Sequence, residues 1–354
     1  MHLCSIVGAR PQFVKAAVVS HALSEVGIRE SLIHTGQHYD GDMSAVFFDE
    51  LGIPAPERNL GIGSGSHADQ TGRMMVALEQ AFEALQPDRV LVYGDTNSTL
   101  AAALVAAKMH IPLDHVEAGL RSFNRLMPEE INRIVTDRLS DLLFCPTATA
   151  VAHLAAEGRT EGVHLTGDVM LDATLHFSER AAARHPLSSL TDVPAKGYSI
   201  ATIHRAENTD HPERLRAIVR ALGQLGEPVL LPLHPRTRGR LEGLDMPPSI
   251  RLLTPVPYLS MLTLVRNARR AFTDSGGLQK EAVWLGTPCI TLRDETEWTE
   301  TTAGGWNRIA GADEQAILDA ARAEPTSTAP IFGTGALGDS ASQAIAGLLL
   351  QTGT

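Results

Sequence analysis

RVLVYGDTNSTLAAALVAAK, Arg89–Lys108, is the stretch whose reading decides the fold. Its first five residues form a continuous apolar, β-favouring run closed by Tyr93, without the alternation of a half-exposed strand. Such a run marks a strand covered on both faces. Gly94-Asp95-Thr96-Asn97-Ser98 then supplies turn chemistry, and the alanine-rich Ala101–Lys108 favours helix. The next short β-like run, Leu113–Val116, completes a βαβ unit, the building block of a parallel sheet.

The same alternation extends outward in both directions. Leu3–Val7, Ser31–His34 and Leu142–Cys145 read as further strands of the first half. Tyr198–Ile203, Val229–Leu233, Ile250–Leu253, Arg270–Thr273 and Cys289–Leu292 form a second series. Ala181–Gly197, with Pro186, Pro194 and a Ser/Thr cluster, reads as a loop after the helix that links the halves. The expected fold is α/β: two doubly wound Rossmann-like domains, residues 1–168 and 169–339, facing a central cleft. Residues 340–354 carry a last amphipathic helix. In such sheets ligands bind beyond the carboxyl ends of the strands.

Length agrees with two domains, since 354 residues stand against about 150 per domain. An apolar share of 44 % with 20 % charged residues excludes a disordered chain. The balance of 30 basic against 41 acidic residues, −11 net, argues against a nucleic-acid binder, which needs a basic face. Cys4, Cys145 and Cys289 are far apart and odd in number, so reduced buried thiols in a cytoplasmic protein are expected. No apolar run reaches the roughly 18 residues of a membrane span, and the N-terminal residues do not read as an export signal.

The chemistry-bearing residues gather where strands end. Gly8-Ala9-Arg10-Pro11 leads into a helix with Lys15 one turn on; a glycine turn, a helix N-terminus and two cations make an anion site. Asp95 follows Gly94 just past the strand end at Tyr93 and reads equally as a helix cap or a functional carboxylate. Glu117 closes the apolar strand at His115-Val116; burial there would raise its pKa unless an ion pair with Arg121 or Arg133 compensates. Glu129 and Glu130 open the next helix, where one acidic residue is expected for the macrodipole and two in a row before Asn132-Arg133 suggest more. His204 and His234 end two strands of the second half, in His204-Arg205 and His234-Pro235-Arg236. Without HxH or HExxH spacing they are not expected to hold a metal, and His204 suits proton transfer or a phosphate. Ser275-Gly276-Gly277 between a strand and a helix reads as a phosphate cradle, with Glu281 placed to take a ribose diol. Gly333–Gly338 matches the dinucleotide string GxGxxG, but the 16 residues after it cannot supply the helix, strand and acidic residue that motif needs.

Taken in order, GARPQFVK, TGQHYD, YGDTNSTLAAAL, HVEAGLRS, MPEEINR, the strand ending in His204, PLHPR, TDSGGLQKEA and TLRDETEW resemble the non-hydrolysing UDP-N-acetylglucosamine 2-epimerase family over nearly the whole chain. The resemblance implies a fold like the GT-B glycosyltransferases, with the last helix crossing back onto the N-terminal domain. It places acid/base groups at Asp95, Glu117, Glu129 and His204, and diphosphate contacts at Arg10, His204 and Ser275-Gly276-Gly277. Glu281 would bind ribose, and Lys15, Arg133 and His234 are further candidate substrate contacts. Gln37, His38 and Arg73 match part of a second, activating site, although Tyr39-Asp40-Gly41 departs from the usual pattern. Neither NAD nor a metal is implied, and a homodimer is. Several strings, DETEW among them, look more like the branch acting on UDP-2,3-diacetamido-2,3-dideoxy-glucuronic acid, whose extra carboxylate would call for Arg205, Arg236 or Arg293. A hydrolysing epimerase, a GT-B glycosyltransferase and a non-catalytic nucleotide-sugar sensor are the competing classes.

Overall fold

The first seven strands form one parallel sheet. They are β1 (His2–Val7), β2 (Arg29–His34), β3 (Arg58–Asn59), β4 (Arg89–Tyr93), β5 (Leu113–Val116), β6 (Leu142–Cys145) and β7 (Val163–Leu165). The order across it is β3-β2-β1-β4-β5-β6-β7. The second sheet is also parallel, in the order β10-β9-β8-β11-β12-β13. Its strands are β8 (Ser199–Thr202), β9 (Val229–Pro232), β10 (Ile250–Leu253), β11 (Ala271–Thr273), β12 (Cys289–Thr291) and β13 (Asn307–Ile309). This computed structural model describes residues 1–37, 50–233, 235–329 and 340–352, apart from the side chains of Arg10, Pro235 and Arg236.

Both sheets are doubly wound, as the apolar runs imply. Strand order reverses between β1 and β4 in one and between β8 and β11 in the other. Crossover helices diverge at these switch points and leave a crevice at the carboxyl ends of the strands. The residues after β1 and β4 include Arg10, Lys15 and Asp95; those after β8 and β11 include His204 and Ser275. Central strands are dry: Ile6, Val90 and Val92 pack with Met74, Leu78 and Phe82 of the helix His67–Leu85.

The chain divides into two compact units, Met1–Ala173 joined by the C-terminal helix, and Thr174–Phe332. The division falls inside the helix Val169–Arg184. Ala181–Arg184, expected in a loop, is the last turn of that helix, because three consecutive alanines carry it on. A short helix, Leu187–Leu190, follows. The C-terminal helix Ala341–Thr352 packs on the helix Arg10–Glu25 and buries Ile345, Ala346 and Leu349. Its first turn is held by Asp172, whose Oδ2 accepts from the Ser342 N–H and hydroxyl, each at 2.7 Å. Among the described residues no helix is long and apolar enough to cross a membrane.

Leu349 is fully buried, so Leu349→Ala is expected to destabilise the first unit by about 2–5 kcal/mol, read as a lower urea midpoint. An unchanged midpoint would show that the helix is not part of that core.

Candidate active site

In the first unit, four predicted residues come together at the carboxyl ends of β4 and β5. Lys15 Nζ lies 2.5 Å from Glu117 Oε2, with both side chains about one-tenth exposed or less. Arg133 reaches Asp95 Oδ2 at 2.6 Å and Glu130 Oε2 at 2.8 Å. Glu117 is therefore paired, but with neither cation the sequence suggested. Arg121 is occupied by Asp137 and Glu157, and Arg133 by Asp95 and Glu130. Lys15 was the unforeseen partner because it arrives from a different crossover. Burial alone would push the Lys15 ammonium down, but Glu117, with Asp95 and Asp168 further off, outweighs it and raises it. Desolvation raises Asp95; Arg133 opposes this and Glu117 adds to it.

Local backbone geometry supports these positions. Glu117 has φ +74°, which a side-chain-bearing residue adopts at a cost of about 1–3 kcal/mol. Its N–H and that of Ala118 share the Phe144 carbonyl, and this ends the ladder and turns the chain. Gly119 follows at φ +80°, where a Cβ would lie 2.5 Å from the Ala150 carbonyl oxygen. Gln12, buried in the first helix, accepts from the Gly8 and Ala9 N–H groups and donates to the Tyr93 carbonyl, joining the turns after β1 and β4.

The structure separates the two adjacent glutamates. Glu130 is buried and accepts from the Ser122 and Phe123 N–H groups and from Arg133, so it fastens the preceding loop. Burial pushes its pKa up, but these donors outweigh burial and hold it below the usual carboxylate range. Glu129 is half-buried with no hydrogen bond or ion pair to it among the described residues, and its charge acts on Asp95.

In the second unit, Asp274 is the hub. Fully buried after β11, it accepts from the N–H groups of His204 and Arg205 and from Asn208 Nδ2, at 3.0–3.1 Å. Its Oδ1 is 3.2 Å from His204 Nδ1, so Nε2 is the ring nitrogen not committed to Asp274. Ser275 caps the helix Gly276–Trp284 with its hydroxyl, while its own N–H donates to Thr273. The N–H groups of Gly276 and Gly277 find no acceptor among the described residues, as befits a helix start. Glu281 is buried on that helix and accepts from the Tyr258 hydroxyl at 3.1 Å.

Thr296-Glu297-Trp298 braces the same helix. Thr296 donates to Gln279, the Trp298 ring lies 3.5 Å from Lys280 Nζ, and Glu297 sits against Gly276. A Cβ on Gly276 would lie 2.7 Å from Glu297 Oε1, whereas one on Gly277 would meet only Ser275 Oγ, at 4.0 Å. The first glycine makes room for protein, and the second faces open space. Arg293 is buried and bound to Glu297 at 2.8 Å.

Of the remaining candidates, His38, His234 and the Arg10 side chain lie outside the described residues, as does Gly333–Gly338. Gln37 accepts from the Ser98 N–H and hydroxyl, while Arg73 is bound to Asp69 and the Ser64 carbonyl on an exposed surface. No bond joins these two. Asp137, Asp274, Tyr258 and Lys280 were missed; their only signal was a polar residue within an otherwise buried stretch.

Paired carboxylates and cations at one switch point can move protons, and a helix start with a histidine at the other can hold an anion. A family model described as UDP-N-acetylglucosamine 2-epimerase matches residues 21–343. A UDP-2,3-diacetamido-2,3-dideoxy-D-glucuronate 2-epimerase of Pseudomonas aeruginosa is 50 % identical, covering 91 % of this chain and 92 % of that one. A UDP-N-acetylglucosamine 2-epimerase homolog of Methanococcus maripaludis is 48 % identical over 90 % and 91 %. The crystal structure of Methanocaldococcus jannaschii UDP-GlcNAc 2-epimerase, in complex with UDP-GlcNAc and UDP, superposes with a TM-score of 0.91. That match has 39 % identity and covers 99 % of this chain and 100 % of the other. By class the protein is a UDP-sugar 2-epimerase, an isomerase. The chain belongs to the UDP-N-acetylglucosamine 2-epimerase family.

The two glycines should respond differently to alanine. Gly276→Ala is expected to destabilise by about 1–3 kcal/mol through crowding, and Gly277→Ala to leave the melting temperature nearly unchanged while weakening UDP binding in calorimetry. Acid stability follows from Glu130. Its folded pKa lies below the ordinary 4.5, so its contribution is complete above that value and is lost as pH falls through the folded one. Glu130→Gln should flatten the acid limb of a plot of urea midpoint against pH.

Proposed function

We propose that the protein is a non-hydrolysing UDP-N-acetylglucosamine 2-epimerase, interconverting UDP-GlcNAc and UDP-ManNAc. The observation that carries this is the pair of carboxylates, Asp95 and Glu117, at adjacent strand ends, each bonded to a buried cation. The C2 proton of an N-acetylhexosamine is not acidic by itself. If the C1–O bond breaks first and its electron pair leaves with UDP, the cation developing at C1 makes the C2 proton removable by a carboxylate. A 2-acetamidoglucal forms. UDP then returns to C1 while a proton is delivered to the opposite face of C2. Two proton carriers are needed, one per face, and they are drawn from Asp95, Glu117 and Glu129. Lys15 and Arg133, bonded to the first two of these, contact the sugar beside them.

Arg10, His204 and the Ser275-Gly276-Gly277 helix start hold the departing diphosphate for return, with His204 also able to neutralise it and His234 a further substrate contact. Glu281 takes the ribose diol, oriented by Tyr258. The sequence of bond changes is redox-neutral and requires neither NAD nor a metal. The protein works in the cytoplasm as a homodimer.

A second substrate, UDP-2,3-diacetamido-2,3-dideoxy-glucuronic acid, is favoured by the 50 % identity to the Pseudomonas enzyme. The 48 % identity to the Methanococcus homolog stands almost level with it. Of the cations an additional carboxylate would need, Arg293 is committed to Glu297, which leaves Arg205 as the described candidate.

A proton NMR time course in D₂O, with each UDP-sugar in its own tube, tests both. A second anomeric signal with deuterium at C2 in the UDP-GlcNAc tube is expected; turnover only in the uronate tube would reassign the substrate. Release of free UDP as the end product would mean hydrolysis, and silence in both tubes would favour glycosyl transfer to an acceptor. Asp95→Asn and Glu117→Gln should each abolish turnover while UDP still binds. Glu281→Ala should mainly weaken UDP affinity, and added chelator should leave the rate unchanged.

A further inference from the structure

His115 lies on β5 two residues before Glu117, and none of its side chain meets solvent. Its Nδ1 is 2.7 Å from Asp137 Oδ1, and its Nε2 is 2.7 Å from the Gly94 carbonyl oxygen. A carbonyl can only accept, and a neutral imidazole carries a single N–H. Satisfying both contacts therefore requires one more proton, on the ring or on Asp137. The other oxygen of Asp137 already accepts from Arg121 at 2.7 Å and from the Gly119 N–H at 3.2 Å. Burial pushes the Asp137 carboxyl up, but His115 and Arg121 outweigh it and hold it below the usual range.

We infer that His115 is a positioning residue for Asp95 and Glu117, bonded at once to Asp137 and to the Gly94 carbonyl. Its catalytic consequence rests on the proposed epimerase function. Gly94 leads directly into Asp95, and Gly119 follows Glu117 by two residues. One cluster, His115–Asp137–Arg121, therefore pins both turns that carry the carboxylates.

Ion pairs surround this cluster on neighbouring elements. Asp137 faces the ring from the helix Pro128–Leu139, and Arg121, after β5, is also held by Glu157 beyond the helix Ala148–Ala156. On β6, burial pushes the Cys145 thiol up to about 12, so it brings no charge. On β5 itself, Asp114 is bonded to Arg89 of β4. Beyond Gly94 lie Asp95 with Arg133 and Glu117 with Lys15.

Kinetics of the full chain test the positioning role in His115→Gln. The glutamine amide can replace one of the two bonds but not both, so kcat should fall about a hundredfold, the scale of a 1 Å misplacement. KM and UDP affinity should hold, so that the loss falls on kcat alone. A wild-type kcat in His115→Gln, or a loss confined to KM and UDP affinity, would overturn the positioning role. A wild-type chain that fails to epimerise would overturn the proposed function instead.

Discussion

Two carboxylates, Glu117 about one-tenth and Asp95 about a third exposed, sit at the end of the first sheet because two buried cations pair with them. Taking an ion out of water carries an effective penalty of several kcal/mol, and a partner at hydrogen-bond distance must offset it. Lys15 does this for Glu117 and Arg133 for Asp95. The cations come from different elements, the helix after β1 and the helix after β5. The two pairs therefore work as cross-links as well as charge balance. Losing one partner would leave an unmatched buried charge and release an element from the strand ends.

The same pairing suits the chemistry. A neighbouring cation draws a carboxylate toward its ionised form, although at Asp95 burial outweighs Arg133 and raises the carboxyl; a protonated carboxylate leaves its cation uncompensated and favours giving the proton back. Reversible transfer to and from a carbon centre needs this balance. Strain at Glu117 and the hydrogen bonds through Asp137 hold the carboxylates where burial alone would not.

The second unit solves a different problem. Its helix Gly276–Trp284 begins on N–H groups that find no acceptor among the described residues, and it is braced by neighbouring loops. Asp274 ties the turn before it to the turn after β8, and Thr296, Glu297 and Trp298 brace it from another loop. Glu297 is itself held below the usual carboxylate range: burial pushes it up, but Arg293 outweighs burial. Residues that look like a specificity motif in DETEW are thus largely engaged in supporting the helix Gly276–Trp284.

Much of the fold was legible because fully covered parallel strands must be apolar throughout. Nine strands away from the sheet edges were readable for that reason, and the edge strand β10 was readable through Ile250, Leu252 and Leu253. β3, β7 and β13 were not: each is two or three residues long, lies at a sheet edge and lacks a dry face to demand apolar residues. The candidate carboxylates and the glycine-led helix start were also legible, since turn chemistry at a strand end is local. Partner choice was not. Sequence spacing pointed Glu117 toward Arg121 or Arg133, while the winding of the sheet brought Lys15 beside it from another crossover. Likewise only the packed structure distinguished Glu130, which fastens a loop, from Glu129, and Gly276, which makes room for Glu297, from Gly277. Local chemistry is written along the chain, but which charges share a dry space is set by distances that exist only after folding.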